Sequence, residues 1–273
     1  MENSEIEFND DYEHPDNVEY ILESVLMPSD GSLEFNLLAE EYNSILLNQC
    51  RCNTEACENI ETCTHGGQYE MKPKEKELTL KKLKINTVRP IIECNDLCGC
   101  SKNSCLNRLV QYGPRKNLEV FHSPKYRSHG LRTKVNIPSG AFICEYAGEL
   151  LTVSEAKKRL EENQKLGLMN YILVLNEYSN EKKQQVTIVD PSRRGNIGRY
   201  LNHSCDPNCQ IGAVRIDCPI PKLGIFAARD IVAQEELCFH YGGEGQSKNI
   251  NEGKACLCAA ANCTGFMPNT SIE

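Results

Sequence analysis

Three short groups of cysteines are the residues of this chain whose types and spacing most clearly predict chemistry. Each group holds three or four thiols, and a histidine follows the first group. The members are Cys50, Cys52, Cys57, Cys63 and His65, then Cys94, Cys98, Cys100 and Cys105, and near the C-terminus Cys256, Cys258 and Cys263. In a reducing compartment, thiols at C-x-C and C-x3-C spacings indicate metal ligands rather than disulfides. We therefore expect zinc at all three groups.

The first two groups together predict a cluster of three zinc ions. A tetrahedral zinc needs four ligands, so three ions need twelve bonds. The eight thiols and His65 provide nine ligands, and twelve bonds result when three thiolates each bridge two metals. A neutral imidazole binds one metal, so His65 is expected as a terminal ligand; the alternative is that it is a bystander. A segment so rich in thiols has little apolar core, and the metal should drive its folding.

The C-terminal group offers only three thiols, so its zinc needs a fourth ligand from elsewhere in the chain. Cys205 is the candidate. Of the cysteines outside the groups, Cys218 and Cys238 flank or interrupt apolar runs of β type and are expected to be packed thiols. Cys144 and Cys209 also lie outside any group.

Length and composition limit the class of protein. A chain of 273 residues can bury one good-sized core, or a core with a smaller module. It has no apolar run long enough to cross a membrane, and its N-terminus does not resemble a signal peptide, so we expect an intracellular protein without a membrane partner. The net charge of −8 disfavours a broad nucleic-acid-binding face and suits a basic peptide partner; the alternative is that acidity only aids solubility.

Charge and hydropathy divide the chain into segments. Residues 1–17 are expected to form a solvated acidic tail, whereas 18–48 contain apolar runs that should pack against the main domain. Residues 72–89 carry seven basic residues and predict a solvated loop, with a histone or DNA contact as the alternative. The predicted domains are 1–45 (acidic tail and packing segment), 46–113 (first zinc module), 114–243 (main domain) and 244–273 (last zinc module).

Short runs of β-branched and aromatic residues dominate from residue 118 onward. Seven runs, from LEVF (118–121) to ELCF (236–239), are separated by Gly, Pro, Asn or Asp. One helix is well signalled, because Thr152 can cap it and Glu155, which opens EAKKRLEENQKL, completes a capping box. The sequence therefore predicts a mainly β fold with few helices.

Five stretches of the chain occur in an order typical of one enzyme family. They are C-x-N-R (105–108), EYAGE (145–149), GRYLNHSCDPNC (198–209), FHYGG (239–243) and CLCAAANC (256–263). With these motifs the chain resembles the SET-domain histone lysine methyltransferases of the suppressor-of-variegation type, which carry pre-SET and post-SET zinc modules. The resemblance covers roughly residues 45–267. NHSC between two cysteine modules is its most specific part.

The resemblance implies a fold of several small curved sheets, in which the NHSC segment passes through a loop to form a pseudoknot. The implied methyl donor is S-adenosylmethionine, which binds on one side while the substrate lysine enters a narrow channel from the other. Three zinc ions would belong to the pre-SET module and one to the post-SET module. The post-SET ion, held by Cys205, Cys256, Cys258 and Cys263, would close over the mouth of the channel.

The resemblance also assigns roles to individual residues. Tyr241 is expected to orient the lysine amine and stabilise charge in the transition state, and Tyr171 to be a second channel tyrosine that also contacts the cofactor. Asn202 and His203 match cofactor-binding positions. Phe239 occupies a position where the family carries Phe or Tyr. Because a phenol there would hydrogen-bond the amine and restrict it, Phe239 predicts the addition of two or three methyl groups.

The first cofactor loop departs from the family pattern. The residues expected to contact the cofactor there are Arg127, Ser128, His129 and Gly130. The family usually has Gly-Trp-Gly at the last three of these positions. His240 replaces the usual Asp before the catalytic tyrosine, and His65 takes the place of a pre-SET cysteine. Arg199 is expected to be either a structural ion-pair residue or a site residue.

These observations lead to three hypotheses. The first is a nuclear, chromosome-associated enzyme that methylates a lysine of the histone H3 tail, with the ninth residue as the expected site and nucleosome contact compatible with it. Another H3 lysine or a non-histone lysine is the alternative within that class. The second hypothesis is a non-catalytic chromatin-binding module, motivated by the altered cofactor loop and His240. The third is a zinc-dependent nucleic-acid binder, which the acidic net charge disfavours.

Overall fold

The computed structural model describes residues 18–52, 57, 63–74, 76–81, 90–178, 184–242, 254–268 and 272. The predicted acidic tail, residues 1–17, lies outside the described residues and stays a prediction. Short strands and two helices make up the described chain, which confirms the predicted mainly β fold. No helix within these ranges is long and apolar enough to span a bilayer.

The described elements are mostly two to seven residues long. The strands are β1 (Glu19–Tyr20), β2 (Val25–Leu26), β3 (Tyr69–Lys72), β4 (Glu77–Leu80), β5 (Ile91–Ile92), β6 (Leu118–Ser123), β7 (Ser128–Thr133), β8 (Phe142–Glu145), β9 (Gly148–Leu150), β10 (Leu173–Tyr178), β11 (Gln184–Gly195), β12 (Asn202–His203), β13 (Cys209–Arg215), β14 (Lys222–Ala227) and β15 (Glu236–Phe239). The helices are α1 (Leu33–Asn43) and α2 (Val153–Leu166), and single 3-10 turns cover Val110–Tyr112 and Ile197–Tyr200.

The strands form three small sheets and a hairpin. The first sheet contains β1, β11, β9 and β2 in that order, with β10 paired to β11; the second contains β12, β15, β7 and β6; the third contains β5, β13, β14 and β8. Strands β3 and β4 form the hairpin. In the second sheet β12 runs parallel to β15, with Asn202 opposite Cys238 and His203 opposite Phe239. This register places predicted cofactor and catalytic residues on adjacent strands.

The main core is built by apolar residues of the second and third sheets. Leu131, Ile143, Ile225 and Leu237 come from β7, β8, β14 and β15 and are completely buried. Five consecutive residues of β14 are buried, so this strand packs on both of its faces. The continuous apolar run at its centre, predicted as a strand, is typical of a strand covered on both sides.

Helix α2 begins and ends where its sequence predicts, but one capping bond differs. The Thr152 hydroxyl accepts a hydrogen bond from the Glu155 amide (3.2 Å), and Gly167 ends the helix at φ 65°. The Glu155 carboxylate does not turn back to complete the predicted capping box; its Oε1 accepts from Arg159 Nε (2.9 Å). The first helical amide instead donates to Glu34 of α1 (2.7 Å). The Thr152 hydroxyl still caps the helix, and a tertiary contact from α1 adds to it.

Residues 18–48 extend the main domain, as their apolar runs predict. Strand β1 pairs with β11 and β2 pairs with β9, both in parallel, so these strands complete the first sheet. Helix α1, capped by the Ser32 hydroxyl, packs Leu38 and Tyr42 against the core.

The prediction of a solvated loop over residues 72–89 is wrong for its first part. Strand β4 lies within this segment, and its Thr79 and Leu80 are buried. The Leu80 amide donates to the Gly140 carbonyl (2.8 Å), which joins the hairpin to the main domain. The apolar residues of ELTL form a strand although lysines surround them. Residues 82–89 lie outside the described residues.

A buried cation joins helix α2 to the first sheet. Arg159 Nη1 donates to Glu149 Oε2 (2.6 Å) and to Asp190 Oδ2 (2.8 Å). All three residues are at most 4% exposed. Because a buried charge is tolerated only when it is paired, the removal of one partner from such a group is costly.

Replacing Arg159 with alanine is expected to lower the free energy of unfolding by about 3–5 kcal/mol, because Glu149 and Asp190 would remain buried as unpaired carboxylates. Lys158 is a matched control on the same helix, since its side chain is 64% exposed. Lys158→Ala should change the free energy by about 0.5 kcal/mol or less. Urea unfolding followed by circular dichroism measures both variants, and equal losses would contradict this role of Arg159.

Candidate active site and metal centres

One cavity collects most of the predicted site residues. It has a volume of about 840 Å³ and lies between the second sheet, the end of α2 and the C-terminal segment. The predicted residues that line it are Arg127, Ser128, His129, Tyr171, Asn202, His203 and Tyr241. Cys256 of the last cysteine group lines it as well. The structure therefore gathers cofactor, catalytic and metal candidates around one space.

Tyr241 follows β15 and is held in place by hydrogen bonds to β12 and to the residue before that strand. The Tyr241 hydroxyl donates to the Leu201 carbonyl (2.8 Å), and its backbone amide donates to His203 Nδ1 (3.2 Å). Because Nδ1 accepts, the neutral imidazole carries its proton on Nε2, which lies 3.5 Å from the Cys205 sulfur. His203 thus connects the predicted catalytic tyrosine with a predicted zinc ligand.

Burial keeps Tyr241 and His203 uncharged. It raises the pKa of Tyr241 well above its ordinary value, so the phenol stays protonated at neutral pH. Burial, with a smaller contribution from His240, lowers the pKa of His203 to about 4. The pair therefore offers neutral hydrogen-bonding groups to the cavity.

Aromatic residues pack together behind Tyr241. The ring centroid of Phe239 lies 4.8 Å from that of Tyr241 and 5.8 Å from that of Tyr146. The Tyr146 hydroxyl donates to the Tyr171 carbonyl (2.6 Å), which fixes the backbone of the predicted second channel tyrosine. The predicted catalytic residues thus lie close together, with Phe239 behind the cavity wall. Tyr146 is missed by the sequence prediction, although its place in EYAGE is a signal for it.

The turn that leads into β7 forms the predicted cofactor loop. Arg127 adopts φ 52°, which is uncommon for a residue with a side chain. The His129 carbonyl accepts from Asn202 Nδ2 (3.1 Å), a backbone contact that does not depend on the side chain at 129. A Cβ at Gly130 would lie 2.4 Å from Glu236 Oε1, so the close approach of this carboxylate requires glycine. Gly130 therefore supports the loop from behind the cavity.

Arg199 lies within the site. Its guanidinium carbon lies 4.7 Å from the ring centroid of Tyr171 and 5.2 Å from that of Tyr200. Its Nε donates to the Pro191 carbonyl (3.1 Å), and the residue lines the cavity. A guanidinium over aromatic rings is an attractive arrangement. Of the two roles expected for Arg199, these contacts favour that of a site residue.

The first two cysteine groups come together as one sulfur cluster. Three sets of four ligand atoms each lie within 4.8 Å of one another. The sets are Cys50, Cys57, Cys63 and Cys94; Cys50, His65, Cys94 and Cys98; and Cys57, Cys94, Cys100 and Cys105. The Cys50 sulfur lies 3.9 Å from the sulfurs of Cys57 and Cys94. This agrees with the separation of about 3.8 Å for two thiolates on one tetrahedral zinc.

Cys52 and His65 are predicted ligands that contact the thiols of this cluster. The Cys52 thiol interacts with the thiols of Cys50 and Cys63. His65 is buried, with Nδ1 at 3.5 Å from the Cys98 sulfur and no hydrogen-bond partner for Nε2 among the described residues. Burial lowers the pKa of His65, and a neutral imidazole is the form that binds metals. The donors present therefore fit the predicted zinc cluster.

The last cysteine group meets Cys205, as the ligand count predicts. The sulfurs of Cys205, Cys256, Cys258 and Cys263 lie within 4.8 Å of one another, a set of donors that fits one zinc. The Cys205 amide approaches the Cys258 sulfur (3.5 Å), and the Cys205 and Cys256 sulfurs are 3.9 Å apart. Cys256 and Leu257 also line the cavity, so this set reaches the cavity wall through Cys256.

The other cysteines take no part in these sets. Cys144, Cys209 and Cys238 are buried in the main domain. The Cys218 thiol is half-buried and donates to the Tyr42 carbonyl (3.4 Å). Cys218 and Cys238 are thus packed thiols, as expected.

The fold, the sulfur clusters and the aromatic cavity define a SET-domain protein with a pre-SET module. The family model of the SET domain matches residues 128–242, and that of the Pre-SET motif matches residues 2–108. The chain is 45% identical over 184 residues to "Probable histone-lysine N-methyltransferase set-23" of Caenorhabditis elegans. This match covers 65% of this chain and 72% of that relative. The chain belongs to the SET-domain histone-lysine methyltransferase family.

Within this family the chain is similar to SETMAR. Histone-lysine N-methyltransferase SETMAR of Bos taurus is 43% identical over 192 residues, or 67% of this chain; the match spans 62% of that relative, less than two thirds of its length. The crystal structure of the methyltransferase domain of human SETMAR matches with a TM-score of 0.75 at 36% identity, covering 94% of this chain and 91% of that domain. The resemblance inferred from the motifs is confirmed.

Proposed function

We propose that this chain transfers methyl groups from S-adenosylmethionine to a lysine of the histone H3 tail, with the ninth residue as its site. The observation that carries the proposal is the convergence of Tyr241, Tyr171 and the pair Asn202–His203 on one cavity, which a four-thiol set reaches through Cys256. The net charge of −8 suits a basic tail.

A structural neighbour supports this choice of substrate and cofactor. The structure of KRYPTONITE in complex with mCHH DNA, H3(1-15) peptide and SAH matches this chain with a TM-score of 0.62 at 26% identity, covering 90% of this chain and 46% of that one. By this analogy the protein acts in the nucleus on chromosomes, and a nucleosome is the natural setting of its substrate.

The cavity suits S-adenosylmethionine, which supplies a methyl group on a sulfonium sulfur when bound. Its volume of about 840 Å³ is within the range of cofactor sites. Asn202, His203, Tyr171 and the loop of residues 127–130 would hold the cofactor. The carbonyl of the Asn202 side chain and the backbone carbonyls of the loop accept hydrogen bonds, which matches a ligand that carries an ammonium group.

Tyr241 can orient the substrate amine without changing its own charge. Its proton is donated to the Leu201 carbonyl, so the lone pairs of the phenol oxygen are available to accept an N–H of the amine. Burial of the surroundings, which raises the pKa of Tyr241, also favours the uncharged amine over its protonated form. The uncharged amine is the nucleophile. Holding it in line with the methyl group supplies a large part of the rate enhancement.

In this proposal the C-terminal segment shields the site from water. Lys254 Nζ donates to the Leu168 carbonyl (3.4 Å), which ties the segment to the chain beyond α2. Together with Cys256 and Leu257 it covers one side of the cavity. A dry site strengthens the hydrogen bonds that Tyr241 makes with the amine.

Phe239 sets the number of methyl groups in this proposal. Its ring lies against Tyr241 but brings no hydroxyl to the amine. Once it has lost a proton to solvent, a partly methylated amine can then turn its lone pair toward a second or third methyl group. We therefore assign two or three transfers to this enzyme.

Shared thiols connect the zinc ions of the pre-SET module in this proposal. Cys50, Cys57 and Cys94 each occur in more than one of the observed sets, so they are assigned as bridges. The three zinc sites are then Cys50, Cys52, Cys57 and Cys63; Cys50, His65, Cys94 and Cys98; and Cys57, Cys94, Cys100 and Cys105. Three shared thiolates and six terminal ligands would supply the twelve bonds that three tetrahedral ions need. The fourth ion belongs to Cys205, Cys256, Cys258 and Cys263.

The purified protein is expected to hold about four zinc ions per chain, one for each ligand set, as counted by inductively coupled plasma mass spectrometry. Cys258→Ala should lose about one ion and keep the others, because it removes a ligand of the last set only. Cys218→Ala, whose thiol lies outside every set, is the control and should keep all of them. A zinc content unchanged in Cys258→Ala would contradict the assignment.

Incubation with S-adenosylmethionine and histone H3 is expected to add methyl groups to the ninth residue, located by tandem mass spectrometry. Tyr241→Phe should lower kcat by about 100-fold or more, since the ring can still pack on Phe239 but the oxygen that orients the amine is lost. Tyr112→Phe is the matched control: its hydroxyl donates to the Lys102 carbonyl (2.6 Å), outside the cavity. It should react at the wild-type rate.

Two results of this experiment would count against the proposal. No transfer to any H3 lysine by the wild-type protein would favour a non-catalytic chromatin-binding module. Full activity of Tyr241→Phe would remove the phenol from the mechanism. Transfer to a different H3 lysine would correct the site but keep the reaction.

Phe239→Tyr is expected to shift the product from two or three methyl groups to one, with the first transfer preserved, because a new hydroxyl beside Tyr241 can restrain the amine. The masses of the peptide products over time give the methyl count directly. Phe121→Tyr adds the same hydroxyl under Arg132, away from the cavity, and should leave the product distribution unchanged. An unchanged distribution in Phe239→Tyr as well would contradict the role of this position.

A further inference from the structure

Glu236, the first residue of β15, connects two strands behind the cofactor loop. Its Oε1 accepts from Asn202 Nδ2 (2.9 Å) on β12, and its Oε2 accepts from Ser123 Oγ (2.8 Å) on β6. Ser123 is completely buried. Both donors are uncharged, so neither of them neutralises the carboxylate. The side chain is thus fixed at both oxygens.

The contacts of Asn202 determine which way its amide points. Besides Glu236, its Nδ2 donates to the His129 carbonyl (3.1 Å). Both partners can only accept, so the NH2 group must face them and Oδ1 must face away. Oδ1 receives a long contact from Ser128 Oγ (3.4 Å), and the residue lines the cavity. Glu236 therefore selects the amide orientation that leaves a carbonyl acceptor for a ligand.

Gly130 makes room for this arrangement. A Cβ there would lie 2.4 Å from Glu236 Oε1 and 3.2 Å from Asn202 Nδ2. The carboxylate and the amide therefore occupy the space beside the cofactor loop that a side chain at 130 would fill. The three residues form one contact group in which the acid is the charged member.

We propose that Glu236 is a positioning residue for the cofactor, acting through Asn202 on the ammonium end of the ligand. This rests on the proposed use of S-adenosylmethionine and deepens it. Glu236 and the His129 carbonyl each accept one amide proton of Asn202 and so keep the NH2 group away from the cavity, and the carboxylate strengthens the Asn202 carbonyl as an acceptor for a cation. The rest of the ligand, outside the amino-acid group, gains no binding free energy from this contact.

Two ligands that differ in the amino-acid group separate this role from a general structural one. S-adenosylhomocysteine carries the ammonium group, whereas 5′-methylthioadenosine lacks the amino-acid part. In calorimetric titrations, Glu236→Ala should weaken binding of S-adenosylhomocysteine by about tenfold and that of 5′-methylthioadenosine by about twofold or less. Glu236→Gln, which keeps an acceptor for Asn202 but loses the charge, should fall between wild type and Glu236→Ala for the first ligand.

Glu119→Gln is the matched control for the loss of charge. Glu119 lies on β6 of the same sheet and pairs with Arg132 (2.6 Å), without contact to Asn202. Its affinity for both ligands should equal that of the wild type. Thermal unfolding of each variant, followed by circular dichroism, checks that it is folded under the conditions of the titration.

A double-mutant cycle tests whether Glu236 acts through Asn202. In an Asn202→Ala background, Glu236→Ala should have little further effect on S-adenosylhomocysteine binding, since the amide it orients is gone. In peptide assays Glu236→Ala should raise the KM for S-adenosylmethionine while kcat changes by about twofold or less.

The outcomes separate a failure of the proposed function from a failure of the positioning role of Glu236. If the wild-type protein binds neither ligand, the proposed function itself fails. If it binds S-adenosylhomocysteine but Glu236→Ala weakens both ligands equally, or neither, the positioning role is overturned. Equal effects of Glu236→Ala with and without Asn202 would also overturn it, because the carboxylate would then act independently of the amide.

Discussion

The pairing of β12 with β15 is the contact on which the site depends. Two residues of parallel pairing are too few to hold by themselves, and the buried side chain of Asn208 reinforces them. Its Nδ2 donates to the Glu236 carbonyl (2.8 Å), and its Oδ1 accepts from the Cys238 amide (2.8 Å). At the other end the Tyr241 hydroxyl bonds the Leu201 carbonyl, 40 positions earlier in the chain. The predicted cofactor loop, the phenol of Tyr241 and the Cys205 thiol all meet at this junction.

Sulfur clusters take the place of apolar cores beside this junction. In the pre-SET module one buried cluster consists of thiols, and β5 leads directly from the main domain into this cluster at Cys94. The neighbouring Glu93 is completely buried and accepts from the Tyr69 hydroxyl (2.8 Å) and the Val110 amide (2.7 Å). Because an unfolded chain does not hold its ligands in place, the free energy of binding zinc to such a module is also free energy of folding.

Residues that carry chemistry are easier to predict from this sequence than residues that position them. Short C-x-C spacings bring sulfurs to one centre through chain length alone. Counting ligands then requires a fourth thiol, which the family resemblance assigns to Cys205, 51 positions from Cys256. Tyr146 and Glu236 are missed because each lies in a short apolar run, where long-range pairing decides which face meets the site. Strand β4 is missed for a related reason: surrounding lysines suggest solvent, but tertiary contacts bury Thr79.

The segment Asn202–Cys205 couples functions that are otherwise separate. Successive side chains of a strand point to opposite faces, so Asn202 meets the cofactor loop while His203 turns to Tyr241 and the Cys205 sulfur. A register shift of one residue would exchange these faces and lose all three contacts together. A module that only bound chromatin would need the zinc scaffold. It would not need these hydrogen bonds around a phenol and an amide. The joint placement of metal ligand, imidazole and amide on one short segment is therefore better explained by catalysis than by scaffolding.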